Sequence, residues 1–334
     1  MSAAPLVDQY GHGVLHGEAA PGVFERRLAE AGGATWRAVL RWCPPLLGLD
    51  ADVPATRYLA RRRELGAYTA TRLLLRGSGI RVFLLADAAE AGETDDGELT
   101  GPAATASAAG GTTRPLAGLT ALAARAAGTA GTARAFLDHA AESLVTAARD
   151  TAAFVCAADG LGGEGLPEPT AVRHAADRWL ADPRGPRRPG PVVTLHLLWG
   201  ALATGRPVQL HCGDPMPLVP LLHATAGAGT LVLLPSRDHH RAAARLASAF
   251  PHVYADAGPE PAAALAEAPP GKLLFSTRAG TLPELHVARA GLFRQALGAA
   301  LRARPHAEAA RTARQIGGGT ARQVYRLGEA VQVY

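Results

Sequence analysis

Eight short runs of β-forming residues, each followed by a helical stretch, narrow the folds open to this chain more than any other feature. They are "LVDQYGHG" from Leu6, "IRVFLLAD" from Ile80, "TTRPLAGL" from Thr112 and "AAFVCAAD" from Ala152. Then come "PVQLHCG" from Pro207, "TLVLLPS" from Thr230, "HVYADAG" from His252 and "KLLFSTRAG" from Lys272. Between them lie alanine- and leucine-rich segments of helical character, among them "FERRLAEAG", "TARAFLDHAAESLVTAARD", "TLHLLWGALATG" and "RAAARLASAF". Apolar strands alternating with helices predict a parallel sheet covered on both faces. Eight is the number that closes a (β/α)8 barrel, and 334 residues suit one barrel with insertions. A doubly wound open sheet is the alternative. The predicted fold class is α/β, a (β/α)8 TIM barrel, with residues 1–334 forming one domain.

With 48% apolar and 19% charged residues the chain can bury a full core, which excludes a disordered protein. The net charge of +5 is carried almost entirely by arginine, since Lys272 is the only lysine. The arginines are spread along helices rather than gathered with aromatics, so no nucleic-acid partner is predicted. "ARRRE", residues 60–64, reads as a solvated helix face. Cys43, Cys156 and Cys212 are odd in number and far apart, which predicts neither a disulfide framework nor a zinc knuckle. No basic segment leads into an apolar core at the N-terminus, and no apolar run is long enough to cross a bilayer. A cytoplasmic protein without a membrane partner is expected, with a homodimer left open. Residues 88–111, small and partly acidic, predict a flexible insertion, read either as a disordered loop or as a lid over the C-terminal mouth of the barrel. "LGGEG" lacks the strand, helix and lysine of a phosphate-binding loop.

The first strand ends "QYGHG", and the period-two alternation of a strand aims Tyr10 and His12 the same way. This segment, "PVQLHCG", "GKLLFSTRAGTLPEL" and the C-terminal "IGGGTARQVYRL" together resemble the amidohydrolase superfamily, in particular its amidohydrolase-related branch. The resemblance runs from Val7 to Tyr325, with Thr320 where that family usually has asparagine. It implies a barrel whose strand ends hold a divalent ion such as zinc: His-x-His on strand one, lysine or glutamate on strand four, histidines on strands five and six, and aspartate on strand eight. Such an ion lowers the pKa of its bound water. Carried onto this chain, His12 and His211 match. Tyr10, Pro235 and Arg278 replace ligands, and strand four offers only Asp159 near its end.

Two histidines and a phenol are too few ligands for zinc, and a guanidinium would repel the ion. The residues therefore predict no metal or other cofactor. A metal held by His12, His211 and either Tyr10 or His240 is the alternative. The substrate expected is a small anion anchored by Arg278, with His12 and His211 as an acid–base pair. Tyr10 would orient the substrate or donate a proton, Asp8 would fix a histidine tautomer, and Asp159 would lie beside the substrate. Hydrolysis, elimination, decarboxylation or cyclisation, in a setting such as specialised metabolism, would all fit. So would a barrel that binds without catalysis. Arg278 could instead pair with Asp8, Asp159 or Asp256. Cys212 should point away from the mouth. Asp238 is expected to cap a helix whose solvated first turn holds His239 and His240. His16 and His286 are expected on surface loops, and His196 in helix packing.

Overall fold

The computed structural model describes residues 4–87, 98–162, 165–181 and 188–328. All eight strands form: β1 (Leu6–Gly11), β2 (Ile80–Ala86), β3 (Thr112–Gly118), β4 (Ala153–Ala157), β5 (Val208–Cys212), β6 (Leu231–Pro235), β7 (Val253–Asp256) and β8 (Leu273–Leu274). They pair in chain order, every pair parallel. With helices between successive strands, this is a (β/α)8 TIM barrel. The proline in β3 is tolerated, and its carbonyl accepts from the Ala152 N–H at 2.9 Å.

The eighth strand is shorter than its sequence suggests. Its ladder covers only Leu273–Leu274, and the following residues meet β1 through single backbone hydrogen bonds. Gln9 N donates to the Phe275 carbonyl (3.1 Å), Arg278 N to Tyr10 (2.9 Å) and His12 N to Ala279 (2.7 Å), bringing the ends of the sheet together.

The barrel interior is apolar, with Val7, Val82, Leu84, Val155, Val232, Leu234 and Leu274 in one cluster. Tyr325, from the C-terminal motif, enters it. Its hydroxyl donates to Gln9 Oε1 (2.8 Å) and accepts from Gln209 Nε2 (2.8 Å). The glycine run before it is needed for close approach: a Cβ at Gly317 would lie 2.9 Å from Leu6 Cδ2.

Four helices between β1 and β2, α1 (Pro21–Ala31), α2 (Gly33–Leu46), α3 (Ala55–Leu65) and α4 (Ala67–Gly77), build a second core. Phe24, Leu28, Val39 and Leu74 pack there against Leu282 and Val287. This core overturns the solvated reading of "ARRRE" for Arg62, while Arg63 and Glu64 are exposed as expected. Arg62 is 2% exposed, with Nε 3.3 Å from Glu284 Oε1, and the Tyr58 hydroxyl donates to the same oxygen at 2.7 Å. Tyr58 and Arg62 are four residues apart, so one helix face carries both inward.

The expected flexible insertion covers residues 88–111 of the sequence. Residues 88–97 lie outside the described residues, but 98–111 belong to the barrel. Leu99 bridges to Leu15, and α5 (Pro102–Ala109) buries Thr105, Ala108 and Ala109. The remaining helices are α6 (Leu119–Gly128), α7 (Ala133–Asp150), α8 (Pro169–Ala181), α9 (Pro191–Ala203), α10 (Val219–Ala224), α11 (His240–Ala249), α12 (Pro261–Leu265), α13 (Pro283–Ala300), α14 (His306–Arg314) and α15 (Thr320–Val324). Among the described residues, no helix is long and apolar enough to cross a membrane.

Candidate functional site at the barrel mouth

A bulge in β1 sets which residues reach the mouth. From Asp8 to Gly11, β1 takes three steps while β2 takes two, from Phe83 to Leu85. An extra residue on one strand of a pair bends it and re-aims its side chains. Gln9 and Tyr10 both turn inward, Gln9 to Tyr325 and Tyr10 into the interior cluster. Asp8 and Gly11 pair with Phe83 and Leu85, whose side chains pack in the outer layer.

Tyr10, His12 and His211 therefore come together. The Tyr10 ring lies 4.4 Å from that of His211 and 5.2 Å, edge-on, from that of His12, centroid to centroid. His12 Nδ1 is 3.2 Å from the Ala86 carbonyl, an acceptor only, so this nitrogen carries the proton and a neutral ring keeps its lone pair on Nε2. His211 is pushed down to about 3, first by burial and then by the Arg278 and His12 charges, with Asp256 opposing. At neutral pH it is an uncharged imidazole.

Arg278 closes the group from the other side. Its Nη2 stands 3.2 Å from Asp256 Oδ2 at the end of β7, so of its three candidate partners the structure selects Asp256. The same oxygen accepts from the Ser276 hydroxyl at 3.0 Å and lies 3.5 Å from His240 Nε2. Burial pushes the Asp256 carboxyl up, but the interactions with His240, Arg278 and Ser276 outweigh it and hold the group below the usual carboxylate range. Asp256 is a carboxylate.

His240 is not the solvated residue its sequence context suggests. A 3-10 turn, Arg237–His239, precedes α11, so neither helical segment is capped by Asp238, and His240 is turned inward with 6% exposure. Its Nδ1 lies 2.9 Å from the Arg237 carbonyl, which directs Nε2 at Asp256. Only glycine fits beside it: a Cβ at Gly258, where φ is 65°, would fall 2.2 Å from His240 Cδ2.

Asp8 is not brought to the mouth with the others. It is fully buried behind β8. Oδ1 accepts from Thr277 N at 2.8 Å, Oδ2 from the Thr277 hydroxyl, and His286 Nδ1 lies 3.5 Å away. His286, expected on a surface loop, is fully buried on α13 against the Phe83 ring. Arg289 Nη1 donates to the carbonyls of Thr277 (3.0 Å) and Arg278 (2.7 Å). Together these groups hold a turn in which Arg278 and Thr281 have φ of 49° and 64°, values that non-glycine residues rarely adopt. Asp159 is exposed on the rim, where Oδ1 accepts from Gly213 N at 3.2 Å. Cys212 is buried in the outer layer, and burial first, with Asp159 and Asp214, pushes its thiol up to about 12.

Sequence reasoning named Asp256 only as a possible partner of Arg278 and passed over Ser276. The available signal was a carboxylate ending a strand in "VYADAG", at the barrel end where strand termini converge.

This architecture can be set beside solved structures. A Lactobacillus casei protein assigned as a metal-dependent hydrolase superposes with a TM-score of 0.82 at 21% identity, over 97% of this chain and 95% of that one. The chains share a fold. Glucuronate isomerase from Caulobacter crescentus (TM-score 0.66, 12% identity, 98% and 92% covered) and uronate isomerase from Thermotoga maritima (0.63, 12%, 96% and 94%) have it too. The barrel implied by the amidohydrolase resemblance is thus the observed one. No protein-family model matches the sequence, and no curated protein is significantly similar to it.

Among the described residues no group of three or more His, Cys, Asp and Glu side chains is placed to hold an ion. Asp256, the carboxylate at this mouth, is already engaged by a guanidinium.

Proposed function

We propose that the chain is an enzyme acting on a small anionic molecule by acid–base chemistry at this mouth, without a metal ion. The carrying observation is that Tyr10, beside the rings of both His12 and His211, and the Arg278 charge acting on His211 bring residues of β1, β5 and the end of β8 to the same mouth. Arg278 is 29% exposed, and its fork suits a carboxylate or phosphate. His12, with its proton fixed on Nδ1 by Ala86, offers Nε2 to accept a proton from the substrate. His211, neutral, and the Tyr10 phenol would donate to charge developing on the substrate. Hydrolysis, elimination, decarboxylation and ring closure all use such a set. Uronate, named for two of the structural relatives, is itself a carboxylate.

A screen of carboxylates and phosphates by thermal shift, then by turnover, tests this. Hits are expected whose stabilisation disappears in Arg278→Met. Full turnover retained in both His211→Ala and Arg278→Met would remove the site assignment. Plasma mass spectrometry after incubation with zinc, manganese and iron is expected to find no stoichiometric metal. One ion per chain would overturn the metal-independent reading.

One observation favours a second reading, a barrel that binds its ligand without turning it over. With its pKa near 3, His211 is a weak base at neutral pH, which leaves proton abstraction to His12 alone. A ligand bound through Arg278 and released unchanged would support it.

A further inference from the structure

The polar atoms of the mouth are unevenly satisfied. Asp256 Oδ2 is approached by Ser276, Arg278 and His240, whereas Asp256 Oδ1, equally buried, has no hydrogen-bond partner. At the same mouth, Arg278 Nε, His211 Nε2 and His240 Nε2 also lack hydrogen bonds, and Arg278 Nη2 meets Asp256 only as the 3.2 Å ion pair. Native proteins leave few buried polar atoms unpaired, so several at one place mark a site completed by something else. They differ in what they need. Arg278 Nε needs an acceptor, Asp256 Oδ1 can only accept, and an imidazole nitrogen can do either.

We infer that the site takes acids carrying an O–H or N–H donor next to the anionic group, such as 2-hydroxy or 2-amino acids, and that Asp256 Oδ1 selects for that donor. The inference rests on Arg278 as the anion anchor. A plain carboxylate would satisfy Arg278 and leave Oδ1 buried and bare. A neighbouring hydroxyl or ammonium satisfies both. Arg278 is the most exposed group of the set, so its side chain is the one that gives way as the ligand enters. Asp256, 2% exposed, keeps Ser276 and His240 beside Oδ2 as Arg278 moves, and stays in place. Its fixed orientation makes it a reader of the ligand rather than a mobile partner.

Calorimetric titration of the full chain with propionate, lactate and 2-methoxypropionate tests this. Lactate is expected to bind at least tenfold more tightly than propionate, and 2-methoxypropionate, which keeps the oxygen but lacks the donor, no better than propionate. In Asp256→Asn, the donors around Oδ2 hold the amide oxygen there and turn the amide NH2 to the Oδ1 side. The preference for lactate should then fall below threefold while propionate still binds. The wild-type comparison stands even where that variant does not fold. Equal affinity for the three acids in the wild type, abolished by Arg278→Met, would overturn the inference and leave the anchor intact. Failure of every acid to bind would overturn the anchor, and this inference with it.

Discussion

The chain contains two arginine–carboxylate pairs of nearly equal length in opposite circumstances. Arg62 and Glu284 are 3.3 Å apart, 2% and 0% exposed, between α3 and α13. Arg278 and Asp256 are 3.2 Å apart, with the carboxylate sealed but the arginine side chain 29% exposed. The first pair has Tyr58 on the same carboxylate oxygen and no route to a ligand. The second adjoins two histidines and a phenol, and its arginine side chain is partly exposed. Residue type and spacing do not separate the two pairs. The exposure of one partner and the company it keeps do.

The largest expected effect breaks the first pair. Arg62→Met leaves Glu284 buried and uncompensated, a loss of about 3–5 kcal/mol. Urea unfolding should show it, and anion binding by the protein that remains folded should be unchanged. Next is the group behind the anchor. Asp8→Asn weakens charge-assisted bonds to Thr277, costing roughly 1.5–3 kcal/mol. Because the Thr277–Arg278 turn is held there, anion affinity should fall as well, measured by titration beside the unfolding curve. An Asp8→Asn protein with lost stability and unaltered affinity would separate turn from anchor.

The third prediction concerns pH. His211 titrates near 3 when folded, against its ordinary 6.5 when unfolded. Above pH 6.5 both states are neutral there. As the pH falls toward 3 the unfolded chain takes the proton first, so stability drops by up to about 1.4 kcal/mol per pH unit. Unfolding at pH 7, 6 and 5 should show this slope, with His211→Gln flattening it. A slope unchanged in the variant would mean that the ring is not held neutral. The second pair should lose less than the first: in Arg278→Met the buried Asp256 keeps Ser276 and His240 beside Oδ2, whereas in Arg62→Met Glu284 keeps only Tyr58 on Oε1. The anion affinity of Arg278→Met should nonetheless fall at least tenfold. That contrast with Arg62→Met is the sharpest form of the comparison.

Most strands were legible because they are compact apolar runs bounded by turn residues, and their alternation with helices is local information; β3, "TTRPLAG", is the polar exception. The end of strand eight was not. "FSTRAG" has β-forming residues, but its turn is fixed by Asp8, His286 and Arg289, partners that no local pattern reveals. Arg62 was misread for the opposite reason. Three consecutive arginines suggest solvent, yet successive helical positions point about 100° apart, so a run can send one member inward. Tyr58, one turn earlier, was the clue. His240 needed the helix start to within one residue, and the 3-10 turn before α11 shifted it. At the mouth, His12, His211 and Arg278 could be placed from strand ends alone, whereas the bulge that carries Tyr10 in and Asp8 out is a property of pairing, not of β1 by itself.

Tyr325 joins Gln9 and Gln209 across most of the length of the polypeptide. During synthesis the first strand leaves the ribosome hundreds of residues before the side chain that fills the barrel beside it. Contacts of such long sequence separation form slowly. The barrel therefore closes only after release of its C-terminal motif, and until then the emerging chain exposes the edges of an unfinished parallel sheet to whatever else is in the cell.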